Sequence, residues 1–144
     1  MTLIYRVQDR EGRGPWRPGF SEKWVDYSED KEVLLPTYIE MPGAADRRTI
    51  GYHVGVGCIY PDQLRRWFTA KEYATLLGYG YRCVTFMGKA FLGESETQCM
   101  FESRNPLAEH DGFFALYDEL NFDVPRPPAR YVRLCSPTPP QIVS

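Results

Sequence analysis

At 144 residues, 43% of them hydrophobic and 25% charged, the chain has the size and composition of a single globular domain over residues 1–144. Its 17 basic and 19 acidic side chains are interspersed to a net charge of −2, so charge points to neither a polyanion-binding surface nor an acidic nucleic-acid mimic, and direct nucleic-acid binding is not expected. No apolar run approaches the roughly 18 residues of a membrane span, and "MTLIYRVQDR" lacks the basic-then-apolar order of a secretory signal, which predicts a cytoplasmic protein without membrane contact.

"TLIYRV", residues 2–7, is a short β-rich run bounded by the charged "QDREGRG" and reads as a first strand with Arg6 near its end. "GRGPWRPGF" crowds glycine and proline around Trp16 and Phe20, a composition that breaks helix and sheet and predicts an ordered loop pinned by its aromatics. In "SEKWVDYSEDKEVLL" a short helix is predicted, with Ser21 as N-cap, Trp24, Tyr27 and Lys31 on one side and Pro36 as its stop. "PTYIEMPGAADRRT" mixes turn residues and charges without a period and reads as a surface loop.

"GYHVGVGC", residues 51–58, alternates small and β-branched residues, a strand whose glycines permit close approach of another backbone or a ligand. "YPDQLRRWF" opens with Pro61 and Asp62 and brings Leu64, Trp67 and Phe68 to i, i+3, i+4 spacing, an amphipathic helix. A second helix follows in "TAKEYATLLG": Thr69 and Glu72 form a capping box, Tyr73, Leu76 and Leu77 make the stripe, and Gly78 is placed for the C-terminal cap.

"YRCVTFM" and "TQCMFES" have the β-branched or aromatic content of buried strands; "GKAFLGESE" between them is too long for a two-residue hairpin and has room for a short strand at "KAFL". In "LAEHDGFFALYDEL" Phe113, Leu116, Tyr117 and Leu120 fall at helical spacing, interrupted by Gly112. The segment 123–144 carries six of the chain's 12 prolines and is predicted to be an extended tail, with "RYVRLC" as an edge strand. The order of elements predicts a compact α+β fold, a small mixed or antiparallel sheet packed by short helices, rather than a βαβ repeat.

For chemistry, the chain has no Gly-x-x-x-x-Gly-Lys phosphate loop, no Gly-x-Ser-x-Gly elbow and no His-Glu-x-x-His helix. Cys58, Cys83, Cys99 and Cys135 form no Cys-x-x-Cys pair and only His53 and His110 could supplement them, so no metal site is expected. His53 itself reads as a half-buried strand histidine. What remains is Arg6 at the end of strand one, His53 on strand two, and Glu94 and Glu96 in the turn "GESETQCMF". An arginine beside a carboxylate in an aromatic cleft suits an anionic, sugar-bearing ligand such as NAD, the guanidinium gripping phosphate and the carboxylate accepting from ribose hydroxyls. The same acidic turn can equally be a solvated hairpin tip.

In segment order, "LIYRV", "GYHVGVGCIYPDQLRRWF" and "GESETQCMF" resemble the ADP-ribosyltransferase-like superfamily over most of residues 2–102. That resemblance implies NAD as cofactor, Arg6, His53 and Gln98 as cofactor-binding residues, Glu96 as the glutamate stabilising an oxocarbenium-like centre, and Glu94 as the group orienting the acceptor. "HVGVGC" departs from the superfamily's Ser-Thr-Ser element, and an alternative register places Gln98 where the catalytic glutamate belongs, which implies binding without turnover. "QLRRWF", "GYGYRCVTF" and "TQCMF" are also similar to small accessory proteins of bacteriophages and prophages. This second resemblance implies action on a host bacterial protein or complex in the host cytoplasm, including an immune effector such as a CRISPR complex, and assigns no reaction.

Two further readings stand beside the enzymatic one. A noncatalytic inhibitor would bind its host complex through the aromatic loop, with Trp16, Arg17 and Trp24 as contacts, since Trp and Arg supply interface hot spots. A phage assembly subunit would use "PRPPARYVRLC" as an exchanged arm.

Overall fold

The computed structural model describes residues 2–27 and 32–117. Its elements in chain order are β1 (Leu3–Gln8), α1 (Ser21–Trp24), α2 (Thr37–Glu40), a 3-10 turn (Ala44–Arg47), β2 (His53–Gly57), α3 (Pro61–Trp67), α4 (Ala70–Gly78), β3 (Arg82–Met87), β4 (Ala90–Glu94), β5 (Cys99–Ser103) and β6 (Gly112–Phe113). The fold is α+β, with two three-stranded antiparallel sheets, ordered β1-β3-β6 and β2-β5-β4.

Strand alternation places the core. Ile4 of β1, Val84 and Phe86 of β3, Cys99 and Phe101 of β5 and Phe113 of β6 form one buried cluster shared by the two sheets. Met100 of β5 turns the other way, and with Leu92 it packs against Ala44 and Met41. The helices close a second cluster: Leu64 and Phe68 around α3, and Tyr73, Leu76 and Leu77 of α4, meet Val7, Cys83 and Tyr81. Full burial of a Leu of this kind contributes about 1.5–3 kcal/mol.

Among the described residues one backbone bridge joins the two sheets. Tyr5 N–H donates to the Cys58 carbonyl at 2.7 Å and Cys58 N–H returns the bond to Tyr5 at 2.8 Å, an isolated bridge between β1 and the end of β2. Gly57 makes that approach possible, because a Cβ there would lie 2.6 Å from the Tyr5 carbonyl oxygen.

Helix boundaries follow local chemistry. Thr69 and Glu72 do form the reciprocal capping box of α4, and the Glu72 carboxylate also accepts from Asp26 N–H at 2.9 Å, so a fully buried carboxylate holds the chain just after α1. Gly78, expected as the C-terminal cap, is instead the last helical residue. The left-handed position falls at Gly80 (φ 88°), where Gly80 N–H reaches the Leu77 carbonyl and Tyr81 N–H the Leu76 carbonyl, both at 3.0 Å, the two bonds of a Schellman motif.

Three other expectations change. The helix from Ser21 is only four residues long, because the chain turns extended at Val25. The surface loop after Pro36 contains α2 and the 3-10 turn, neither long enough to show a period. The run 107–117 forms β6 and irregular chain in place of a helix: Gly112 carries no Cβ and pairs with Thr85, while Phe113 pairs with Val84. Leu120 and the tail 123–144 lie outside the described residues.

The two glycines at the end of α4, Gly78 and Gly80, give a test with opposite signs. Gly80→Ala forces an L side chain into the left-handed region and lowers unfolding free energy by about 1–2 kcal/mol. Gly78→Ala, with nothing within 4 Å of the added Cβ, raises it by about 0.4–1 kcal/mol. Chemical denaturation of the two variants measures both.

Candidate functional site

Beside the seam between the sheets lies a cleft of about 450 Å3. One wall is the loop after β1, with Pro15 and Trp16; the opposite wall is the segment 34–37; α3 contributes Trp67 and, at its end, Phe68; the floor is Arg6, Val56 and Cys58, with Gln98 at one side.

Each wall is fastened by its own sequence. Asp9 organises the turn after β1, its Oδ1 accepting from Glu11 N–H and Arg13 N–H at 2.9 Å. Trp24 is buried and donates its indole N–H to the Pro15 carbonyl at 3.0 Å, while Trp16, half exposed, packs edge-on against it. Arg17 donates to Tyr81 Oη at 2.8 Å and lies over the Phe20 ring, so the aromatics pin this loop as its composition predicts. The other wall is held by Gln98, just before β5, and from α3. Gln98 Nε2 donates to the Leu35 carbonyl at 3.0 Å and to Glu40 Oε1 at 2.8 Å, Thr37 Oγ1 donates to Gln98 Oε1 at 2.7 Å, and Arg66 pairs with Glu32 through two nitrogens.

Glu40 is the centre of that second latch. Ser95 Oγ, Gln98 Nε2 and Thr97 Oγ1 all donate to its carboxylate, which holds its pKa below the ordinary 4.5. Nothing in "PTYIEMPG" has helical or strand period, so neither the wall nor Glu40 was visible as part of a site; the one available signal was a carboxylate four residues after a proline stop.

The floor is polar in composition and closed in bonding. Arg6 donates from Nε to Gln8 Oε1, from Nη1 to the Val56 carbonyl and from Nη2 to the Gly12 carbonyl, each at 2.9 Å. Burial pushes its pKa down to about 10, which leaves it a cation at neutral pH. The Cys58 thiol donates to the Thr97 carbonyl at 3.4 Å and burial pushes its pKa upward, the opposite of what a nucleophilic cysteine requires. Trp67 Nε1 donates to the same carbonyl at 2.9 Å. Among the described lining residues, the Trp16 indole N–H is a donor that makes no hydrogen bond within the chain.

The residues singled out from sequence divide between two places. Arg6, Gln98 and Trp16 line one cleft. Glu94 and Glu96 are exposed on the hairpin joining β4 to β5 and are not among its lining residues; Gln63 of α3 donates to the Glu96 carbonyl at 2.8 Å. The turn itself is built by Ser95, whose backbone N–H donates to the Gln98 carbonyl and whose Oγ accepts from Thr97 N–H. His53, expected half-buried, is exposed at the start of β2. Among the described residues no group of three or more His, Cys, Asp or Glu is placed to hold a metal ion, and no helix is long and apolar enough to cross a membrane.

A small α+β domain with an apolar cleft beside its sheet seam is thus the class of protein defined here. Residues 1–110 match the family model described as Bacteriophage T4 Y00F protein, and the chain belongs to that family. The match bears out the resemblance to phage proteins and lends no support to the ADP-ribosyltransferase-like one. No curated protein and no solved structure matches the chain.

The Glu40 latch predicts a pH response. Because its folded pKa lies below 4.5, the stability it contributes is complete above that value and is lost as pH falls through the lowered folded value. In an NMR titration from neutral to acid, the Gln98 side-chain amide protons shift and exchange faster below about pH 4.5; in Glu40→Gln that transition is absent.

Proposed function

We propose that this phage-family protein is a noncatalytic binding module, acting in the host cytoplasm by taking an extended apolar segment of a host protein, such as a subunit of an immune complex, into the cleft. The observation that carries this reading is the state of the cleft's polar groups. Arg6, Gln98, Thr37, Cys58 and Trp67 are all bonded within the chain, so what an incoming molecule meets is chiefly proline, leucine and aromatic surface. Such walls favour burial of apolar side chains over phosphate. Trp16, with a free indole N–H and half its surface exposed, is the natural anchor. Trp24 supports Trp16 from beneath, and Arg17 supports the loop.

A second reading, transfer of ADP-ribose from NAD with Glu96 and Glu94 as catalytic residues, draws on Arg6 and Gln98 sharing the cleft with Trp16. It requires Arg6 to release protein carbonyls to reach a phosphate.

The two readings separate in one set of assays. On the binding reading, Trp16→Ala weakens association with the host partner at least about tenfold, or about 1.4 kcal/mol. Glu94→Gln and Glu96→Gln keep the biological effect, and labelled NAD incubated with host lysate transfers nothing to protein. Label transfer that disappears in Glu96→Gln replaces binding with catalysis.

A further inference from the structure

The polar groups of the cleft select the kind of segment that fills it. The carbonyls of Pro15, Pro36, Val56 and Cys58 already accept bonds, from Trp24, from backbone N–H groups of α2, from Arg6 and from Tyr5. A backbone N–H carried in by a partner therefore meets acceptors that are already engaged, and a donor buried without a partner is costly. What the lining offers in return is one donor, the indole N–H of half-exposed Trp16, which makes no hydrogen bond among the described residues. The matching segment is rich in carbonyl acceptors and poor in N–H donors. A run of prolines has that property, and as a polyproline II helix it packs its rings into grooves lined by aromatic side chains, which Trp16, Trp67 and Phe68 supply here.

Charge gives the cleft a direction. Residues 6–17 carry four arginines against two acids, an excess of two positive charges in a chain whose net charge is −2. Arg13 is paired with Asp9 and Glu11. Arg6, on the floor, and Arg17, next to Trp16, donate only to neutral oxygens, those of Gln8, Val56 and Gly12 for the first and of Gly14 and Tyr81 for the second. The opposite wall, 34–37, is bracketed by Glu32 and Glu40. Arg66 pairs with Glu32, whereas the Glu40 carboxylate is held by the neutral donors of Ser95, Thr97 and Gln98. One wall thus carries unpaired positive charge and the other unpaired negative charge, so an acidic group entering along the Trp16 side is attracted and a basic one is repelled.

We propose that the cleft takes a proline-rich segment of the partner as a polyproline II helix, with an acidic residue beside those prolines set against Arg17 on the Trp16 wall. This rests on the binding reading of the cleft and names the chemistry of the segment that it takes.

The test uses the full chain, isotope-labelled, and acetylated, amidated peptides of Pro-x-x-Pro repeats flanked at both ends by glutamate, by lysine or by alanine. The expected result with the glutamate-flanked peptide is a saturable shift of the Trp16 and Trp67 indole signals, while the Met87 amide, at the opposite end of β1 and β3 from the cleft, stays in place. The lysine-flanked peptide binds about three- to tenfold more weakly, and added salt narrows the gap. Trp16→Phe keeps the aromatic surface, removes the donor and weakens all three peptides by about three- to tenfold. Arg17→Gln weakens the glutamate-flanked peptide and leaves the alanine-flanked one unchanged, which separates lost charge from a damaged loop. Indole signals that respond to none of the peptides overturn the proposal, as does a lysine-flanked peptide that binds as tightly as the glutamate-flanked one. So do indole shifts that follow protein concentration without peptide, since the occupant is then a second copy. If no proline peptide binds while Trp16→Ala still loses the host partner, only this inference fails; if Trp16→Ala keeps the host partner, the binding reading fails with it.

Discussion

Three hydrogen bonds from one guanidinium hold the centre of this fold. Arg6 reaches Gln8 on its own strand, Val56 on β2 and Gly12 in the following loop, and so ties together the three backbone segments that meet where the sheets join. A hydrogen bond from a charged group contributes about 1.5–3 kcal/mol, and a planar guanidinium can send several in fixed directions at once, which an ammonium cannot. The bridge of Tyr5 with Cys58 lies next to it, made possible by the bare backbone at Gly57. Gln8 extends the tie, donating to the Leu107 carbonyl at 2.7 Å and so reaching the chain that leads to β6.

The cleft is a consequence of that seam. The sheets share a buried cluster and are bridged by Tyr5 and Cys58, and the space beside Arg6 is walled largely by irregular segments. Each wall is therefore fastened by specific polar contacts: Trp24 to Pro15 on one side, Gln98, Thr37, Glu40 and the Arg66–Glu32 pair on the other. These bonds use up the polar groups near the floor. The cleft left behind is apolar because its polar side chains serve the fold, which favours recognition of a side chain or a proline-rich segment over chemistry on an anionic cofactor.

Sequence patterns conveyed most of the strands, both longer helices, the Thr69–Glu72 box and the pinned aromatic loop, because each carries a period or a local bond that a few consecutive residues define. They failed where long-range contacts decide. Residues 113–120 have helical spacing on paper, yet Gly112 and Phe113 are drawn into pairing with β3. Gly78 and Gly80 both suit a helix end, and only the path of the following strand selects Gly80. Arg6 was legible as a special residue on strand one and was expected beside Glu96, which is not among the lining residues, whereas its bonding to Val56 depends on a contact fifty positions away. Glu94 and Glu96 attracted attention as paired acids, but the carboxylate bonded to the lining residue Gln98 is Glu40, in a segment without any pattern.

If Arg6 serves the fold, its replacement is felt in stability before it is felt in binding. Arg6→Lys preserves the charge and removes the fan of donors. Equilibrium chemical denaturation is the direct measurement: this account predicts a loss of more than about 2 kcal/mol in unfolding free energy, and an Arg6→Lys protein as stable as its parent contradicts it and returns the guanidinium to the role of a ligand-gripping group.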